Sequence, residues 1–499
     1  MEKVAFLNTE MLNQSVKDEL VNQSARSVKW SILYNTAPRL VTPFSTLILA
    51  ALLTPSDFGL VAISTFIIAL ANIVVDLGLG KAIIQRQTNV NESASISLWI
   101  SLLISTILYI FLWIAAPSLS VIYDNVLVRD VIRVSALALP LHAVLSVPKA
   151  LLQREMQFQY LFWIETSFMI IQSLASVGLA LYGFGAWAII WGQLIGLTVS
   201  TAIGWRFAHW RPAFFMDWSM LRSILKFSAW VLVTGFQNWL FLYGDKAIAG
   251  LFLKTQGLGV YSLGFNIATL IPTFLMACLS DVAYPAFCRI QKDYREVGLS
   301  LIRLQSLAGA ILLPVALGMA AISSPTIELL YKDKWLGLGT VIGVLAIIPG
   351  LVPLWSLNES AYQAIGRPDV SAKVAGFSLL ILLPLLWVTA PYGLMVFVIA
   401  RFVGGLFLPL GNLFIGARFL GFGVVDQIKA YASPLAFSLV MFAVVSLLVT
   451  YASPFEGLGG CIKLLVIVST GGLVYVSLIW LFNRDMWNRL VLSLRQMLS

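Results

Sequence analysis

One run of six hydrophobic segments occurs twice in this chain, the second copy about 200 residues after the first. P-S-L-S-V-I-Y at Pro117–Tyr123 returns as P-T-I-E-L-L-Y at Pro325–Tyr331, each time behind a long apolar segment. Trp30 and Gly59 reappear as Trp230 and Gly259, Gln153 as Gln363, and Gly185 and Gly196 as Gly393 and Gly404. The offset drifts only from 200 to 210 along the series. Matches in constant order at near-constant spacing are the mark of a duplication. An even number of crossings per copy makes the copies parallel in the membrane, related by an axis along its normal.

The medium follows from composition. Hydrophobic residues make up 59% of the chain and charged residues 11%, against about 25% charged in soluble domains. We place fourteen apolar spans, each at least the ~18–20 residues that a helix needs to cross hydrocarbon. Twelve form the repeat, from Trp30–Leu53 to Gly393–Ile415; Tyr431–Tyr451 and Gly459–Trp480 are an extra pair. The expected fold is an all-α integral membrane protein of about 14 transmembrane helices. Two parallel-repeat six-helix lobes flank a central cavity, and two C-terminal helices are added. The expected divisions are an N-terminal segment at 1–29, an N-lobe at 30–220, a C-lobe at 221–420, and the last pair with a tail at 421–499.

Positive charge sets the orientation. With the N-terminus inside, 23 of the 32 Lys and Arg fall in cytoplasmic segments and seven in outer ones, with Arg39 and Arg401 inside spans. Lys and Arg in short loops stay cytoplasmic, so both termini are expected there, in a bacterial inner membrane. The net charge of +9 then reports a cytoplasmic face against anionic membrane lipid and calls for no nucleic acid. The first 29 residues carry Glu10, Asp18 and Glu19 and lack the apolar region of a signal peptide. They read as an interfacial helix or as a disordered tail.

Enzyme chemistry has little to build on. There are two histidines, His142 and His209, and three cysteines, Cys278, Cys288 and Cys461. No H-E-x-x-H, C-x-x-C or G-x-S-x-G is present. No catalytic residue, metal site or cofactor is expected. His142, in mid-span, reads as a hydrogen-bonded interior residue, and the cysteines as packing residues.

Charge within hydrocarbon costs roughly 2.5–3.5 kcal/mol on insertion scales and usually faces a cavity or a partner. Arg39, flanked by Pro38 and Pro43 in the first span, and Arg401 in the twelfth are the clearest cases. A guanidinium stays charged and binds phosphate with a rigid fork, so the pair points to a cationic cavity for an anionic substrate. The competing reading is a buried ion pair with Asp245, Asp281 or Glu165. Gln193 is the repeat counterpart of Arg401, which places a polar group at one level of both sixth helices. Gln237 and Asn238 in the seventh span are weaker cavity candidates. Asp245 and Asp281 are candidates for coupling transport to H+ or Na+. Asp76 reads as a helix-end salt bridge to Lys81, and Glu165 and Glu359 as snorkelling side chains. Lys81, Arg86 and Arg154 are orientation charges that would also suit capture of a lipid pyrophosphate at the membrane surface.

Several stretches resemble the oligosaccharide flippases, the polysaccharide transporter branch of the multidrug/oligosaccharidyl-lipid/polysaccharide exporter superfamily, and within it the colanic-acid-exporter-like group. They are L-L-T-P-S-D-F-G-L at Leu52–Leu60, D-L-G-L-G-K-A-I-I-Q-R at Asp76–Arg86 and L-L-Q-R-E-M-Q-F at Leu151–Phe158. G-L-G-V-Y at Gly257–Tyr261 and L-L-Y-K-D-K-W at Leu329–Trp335 extend the likeness into the second copy. The resemblance implies a V-shaped pair of lobes that moves undecaprenyl-pyrophosphate-linked oligosaccharide outward by alternating access. It implies a polysaccharide polymerase as a partner, and cavity arginines of the kind Arg39 would supply. A lipid II flippase and a drug/cation antiporter of the same superfamily are the alternatives. A glycan polymerase or ligase is disfavoured by the duplication and the short outer loops.

Overall fold

The computed structural model describes residues 30, 38–85, 88–214, 218–452 and 457–488. Among them there is no strand. Span one corresponds to α1 (Pro38–Leu52), span two to α2 (Pro55–Asp76) with its short continuation α3 (Leu79–Gln85), and span three to α4 (Val90–Ile122). Span four is split into α5 (Leu127–Ser135) and α6 (Ala138–Arg154); α7 (Phe158–Leu181) and α8 (Ala186–Phe207) complete the first copy. The second begins with α9 (Trp218–Phe252), α10 (Lys254–Ile290) and α11 (Tyr294–Tyr331). Its fourth span is again split, into α12 (Leu338–Leu345) and α13 (Pro353–Ala364), and is followed by α14 (Pro368–Thr389). The twelfth span breaks at Leu406 into α15 (Leu394–Gly405) and α16 (Phe407–Leu420); α17 (Val424–Ala452) and α18 (Gly457–Phe482) follow. Twelve spans among the described residues are long and apolar enough to cross a membrane. The chain is a multi-pass membrane protein.

The resemblance motifs turn out to be helix ends. In T-P-S-D, the Asp57 carboxylate accepts from both Thr54 N (2.9 Å) and Thr54 Oγ1 (2.6 Å), while Asp57 N donates back to Thr54 Oγ1. This is a reciprocal capping box with Pro55 at the first helical position. D-L-G-L-G ends α2 on two successive left-handed residues, Leu77 (φ 42°) and Gly78 (φ 68°). Q-R-E-M-Q closes α6 with a Schellman turn: Gln157 N donates to Leu152 O and Met156 N to Gln153 O, with Met156 at φ 55°. The second copy repeats this turn at Arg367 N to Tyr362 O and Gly366 N to Gln363 O, with Gly366 at φ 75°.

Two compact units result. Unit 1 gathers the described residues of Met1–Leu53 and Ser64–Trp239; unit 2 gathers those of Thr54–Ile63 and Leu240–Ser499. The division between the units falls within α2 and α9, and α17 and α18 belong to unit 2. A fully buried amide network explains the latter. Gln427 Nε2 of α17 donates to Gln305 Oε1 of α11 (2.6 Å), and Gln305 Nε2 donates to Asn358 Oδ1 of α13 (2.5 Å). Asn358 Nδ2 continues to Asn412 O of α16. From α18, Tyr475 OH donates to Ala310 O on α11.

Within unit 2 the repeat-related glycines meet. A Cβ on Gly59 would lie 1.8 Å from Thr255 O, and one on Gly259 would lie 1.7 Å from Pro55 O. The start of α2 thus crosses the start of α10 backbone to backbone, with Ser56 Oγ 3.1 Å from Thr255 Oγ1. Gly59→Val and Gly259→Val should each destabilise by at least ~1–3 kcal/mol. The double variant should lose little more than the worse single, because one contact is lost only once. Thermal midpoints of the purified variants check this; additive losses would refute the shared contact.

Candidate functional site

Unit 1 holds a crevice of about 470 Å3 between α2–α3 and α6, lined by both polar and apolar side chains. Asn72 and Asp76 stand one turn apart on α2, and Lys81 projects from α3. His142, Lys149 and Gln153 share one face of α6, as residues seven and eleven apart on a helix do. Behind that wall, Lys149 Nζ pairs with Glu165 of α7. Asn72 Oδ1 is a buried acceptor without a hydrogen-bond partner among the described residues.

Three sequence expectations change here. His142 makes no hydrogen bond among the described residues and lines the crevice, so it is not a satisfied interior histidine. Asp76 and Lys81 form no ion pair with each other and instead both border the crevice. Glu165 is anchored by Lys149 instead of snorkelling. The signal that would have located Lys149 is its heptad relation to His142, which charge counting alone overlooks.

Unit 2 holds a cluster of a different kind. Arg401 on α15 is buried, and its Nε donates to Asp245 Oδ2 of α9 at 3.1 Å. Tyr261 OH of α10 donates to the same oxygen at 2.6 Å. Phe265 lies under the guanidinium, with its ring centroid 5.5 Å from Cζ, and Lys246 Nζ is 5.2 Å from the same ring. Of the two readings that the sequence left open for Arg401, the ion pair is the one formed, with Asp245 as the partner. The carboxylate is neutralised within the protein, and no added cation is required to balance it. Tyr261, fully buried against Phe397, was not foreseen; it lies in the G-L-G-V-Y stretch.

The other expected site residues with described side chains do not line the crevice. Gln193 is half-buried on α8, away from the crevice lining. On α9, Gln237 is half-buried and Asn238 exposed. Arg154 is the half-buried last residue of α6. Arg86 and the side chains of Arg39 and Asp281 lie outside the described residues. Among the described residues no cluster of His, Cys, Asp or Glu is arranged to hold a metal. Cys288 is half-buried, while Cys461 is exposed and so does not serve packing.

Comparison with known proteins agrees on one family. The family model described as polysaccharide biosynthesis protein matches residues 48–339. Lipopolysaccharide biosynthesis protein WzxC of Escherichia coli (strain K12) is 25% identical over 68% of this chain and 69% of its own. An uncharacterized membrane protein in the cps region of Klebsiella pneumoniae is 23% identical over 92% of this chain and 95% of its own. Teichuronic acid biosynthesis protein TuaB of Bacillus subtilis (strain 168) is 22% identical, covering 70% and 73%. In fold, the chain is similar to the lipid II flippase MurJ in an inward closed conformation, with TM-score 0.74 and 15% identity over 92% of this chain and 99% of that one. It is also similar to an inward-facing multidrug resistance MATE family transporter, with TM-score 0.61 and 17% identity over 78% and 98%.

Removing one charge of the buried pair leaves the other uncompensated, at about 3–5 kcal/mol, whereas replacing both with apolar groups is close to neutral. Arg401→Leu should therefore lower the thermal midpoint sharply, and Arg401→Leu with Asp245→Leu and Tyr261→Phe, which also removes the hydroxyl bound to Asp245, should recover most of the loss. A triple variant as unstable as the single would show that the three side chains are not a closed unit.

Proposed function

The chain belongs to the polysaccharide biosynthesis protein family, and we propose that it carries undecaprenyl-pyrophosphate-linked oligosaccharide across the cytoplasmic membrane for surface polysaccharide assembly. The family match over 48–339 carries this reading. Physical chemistry supports it. A sugar-diphosphate headgroup cannot enter hydrocarbon unaided, because each unpaired polar group there costs several kcal/mol. A two-lobed helical protein that alternately opens a polar interior to each side removes that cost, while the lipid tail stays in the bilayer. Arg39 and the basic side chains of Arg86 and Arg154 receive the diphosphate. Both termini lie in the cytoplasm, as the positive-charge bias requires. A proton or sodium ion, or the membrane potential, resets the carrier, and a polysaccharide polymerase takes up its product. Asp281 is the better candidate for ion coupling, since Asp245 is already balanced by Arg401.

The reading is a transport without covalent chemistry. A cationic drug as cargo would call for an uncompensated carboxylate in the interior; Asp245 and Glu165 are both ion-paired, and Asp76 shares its crevice with Lys81 and Lys149.

In a strain lacking the gene, undecaprenyl-linked oligosaccharide should accumulate while surface polysaccharide falls, and the wild-type gene should reverse both. Arg39→Ala should fail to complement at normal protein level, as seen by lipid extraction and immunoblot. No accumulation, with altered drug tolerance instead, would transfer the assignment to the antiporters.

A further inference from the structure

We propose that the crevice of unit 1 is a carbohydrate subsite, taking the sugar end of the cargo rather than its diphosphate; this rests on the reading given under Proposed function. The charge balance decides between the two ends. Lys81 and Lys149 are offset by Asp76 in the crevice and by Glu165, which holds Lys149 from behind. With His142 neutral the formal sum is zero, so the crevice offers a dianion no net attraction. A hydroxyl needs no net charge: it donates one hydrogen bond and accepts others. The lining supplies both functions. Asn72 Oδ1 and Asp76 accept, Lys81 donates, and His142 and Gln153 do either.

Asn72 is the sharpest pointer. Its Oδ1 is buried and lacks a hydrogen-bond partner among the described residues, a costly state until a donor arrives. The imidazole of His142 likewise makes no hydrogen bond among the described residues. The volume of about 470 Å3 falls among the ~300–1,000 Å3 of small-ligand sites.

The second copy shows that the duplicated scaffold does not require such a crevice. Its equivalent elements are α10 and α13, which pack closely on each other. Met276 and Leu279 of α10 and Trp355 and Tyr362 of α13 fill that interface as part of an apolar core, and Ser280 Oγ sits 3.3 Å from Ser356 Oγ. Where the first copy has Lys149 facing a crevice, the second has Glu359, bonded to Gln363 on its own helix. The polar opening is thus a specialisation of unit 1.

The test uses the full chain in lipid nanodiscs and two probes. One is the oligosaccharide released by mild acid from the lipid that accumulates in the deletion strain. The other is undecaprenyl diphosphate without sugar. Asn72→Leu and Gln153→Leu should each weaken binding of the released oligosaccharide about tenfold, and leave undecaprenyl diphosphate within about twofold of wild type. Gln153 is exposed at the crevice rim, so its variant keeps the test open if Asn72→Leu fails to fold. Equal loss of both probes would make the crevice a diphosphate site and overturn the proposal. Unchanged oligosaccharide binding in both variants would also overturn it. A wild-type protein that binds undecaprenyl diphosphate and ignores the oligosaccharide sinks the subsite and leaves the transport reading standing. One that ignores both probes sinks both.

Discussion

A polar group inside a bilayer has to find its partner within the protein, because hydrocarbon offers none. That constraint explains why every element among the described residues is a helix and none is a strand. It also explains two buried polar systems and a half-buried one. The Gln305–Asn358–Gln427 amides tie α11, α13 and α17 into one body. Asp245, Arg401 and Tyr261 do the same for α9, α15 and α10. Lys149 and Glu165 join α6 to α7. In water each of these would be worth little; in a low-dielectric interior, leaving any member single is what becomes expensive.

The duplication is preserved in backbone shape more faithfully than in side chains. Met156 and Gly366 share the same left-handed turn, as do Asp124 (φ 48°) and Lys332 (φ 50°). Gly185 and Gly393 precede equivalent helices with positive φ. The residues at matched positions differ freely, and charge is even reversed between Lys149 and Glu359. A helix end needs a particular φ and a particular hydrogen bond, which several residues can supply. A binding wall needs particular donors and acceptors. So the scaffold stays symmetric while the chemistry diverges, and unit 1 carries the open polar crevice while its counterpart in unit 2 is sealed.

What could be read from the sequence divides along the same line. Spans, the repeat and the helix ends depend on residues near one another in the chain, and T-P-S-D or the turn at Met156 announces itself locally. Partners do not. Arg401 lies 156 residues from Asp245, and composition could only name three carboxylates as candidates. His142 looked like a core residue because its neighbours along the chain are apolar; the crevice it faces is made by α2 and α3, which no window around His142 contains. Charge counting does not single out Lys149, because an orientation charge and a crevice wall look alike in one dimension. The unit boundary within α9 was likewise hidden, since a helix that changes allegiance at Trp239 shows no break in its hydrophobicity.

The amide link between Gln305 and Gln427 also bears on how the protein is made. The two side chains are 122 residues apart, so at ~5–20 residues per second α11 reaches the membrane about 6–24 s before its partner on α17 has been synthesised. Through that interval Gln305 has only Asn358 and the Pro353 carbonyl to turn to, and those become available earlier. Assembly of unit 2 therefore has an order imposed by hydrogen bonding: α11 first seats against α13, and the C-terminal pair then closes over it as the last part of the unit to be built. A chain ending between α16 and α17 lacks the Gln427 donor, and the Gln305 Oε1 acceptor is then without the hydrogen bond it has in the finished unit.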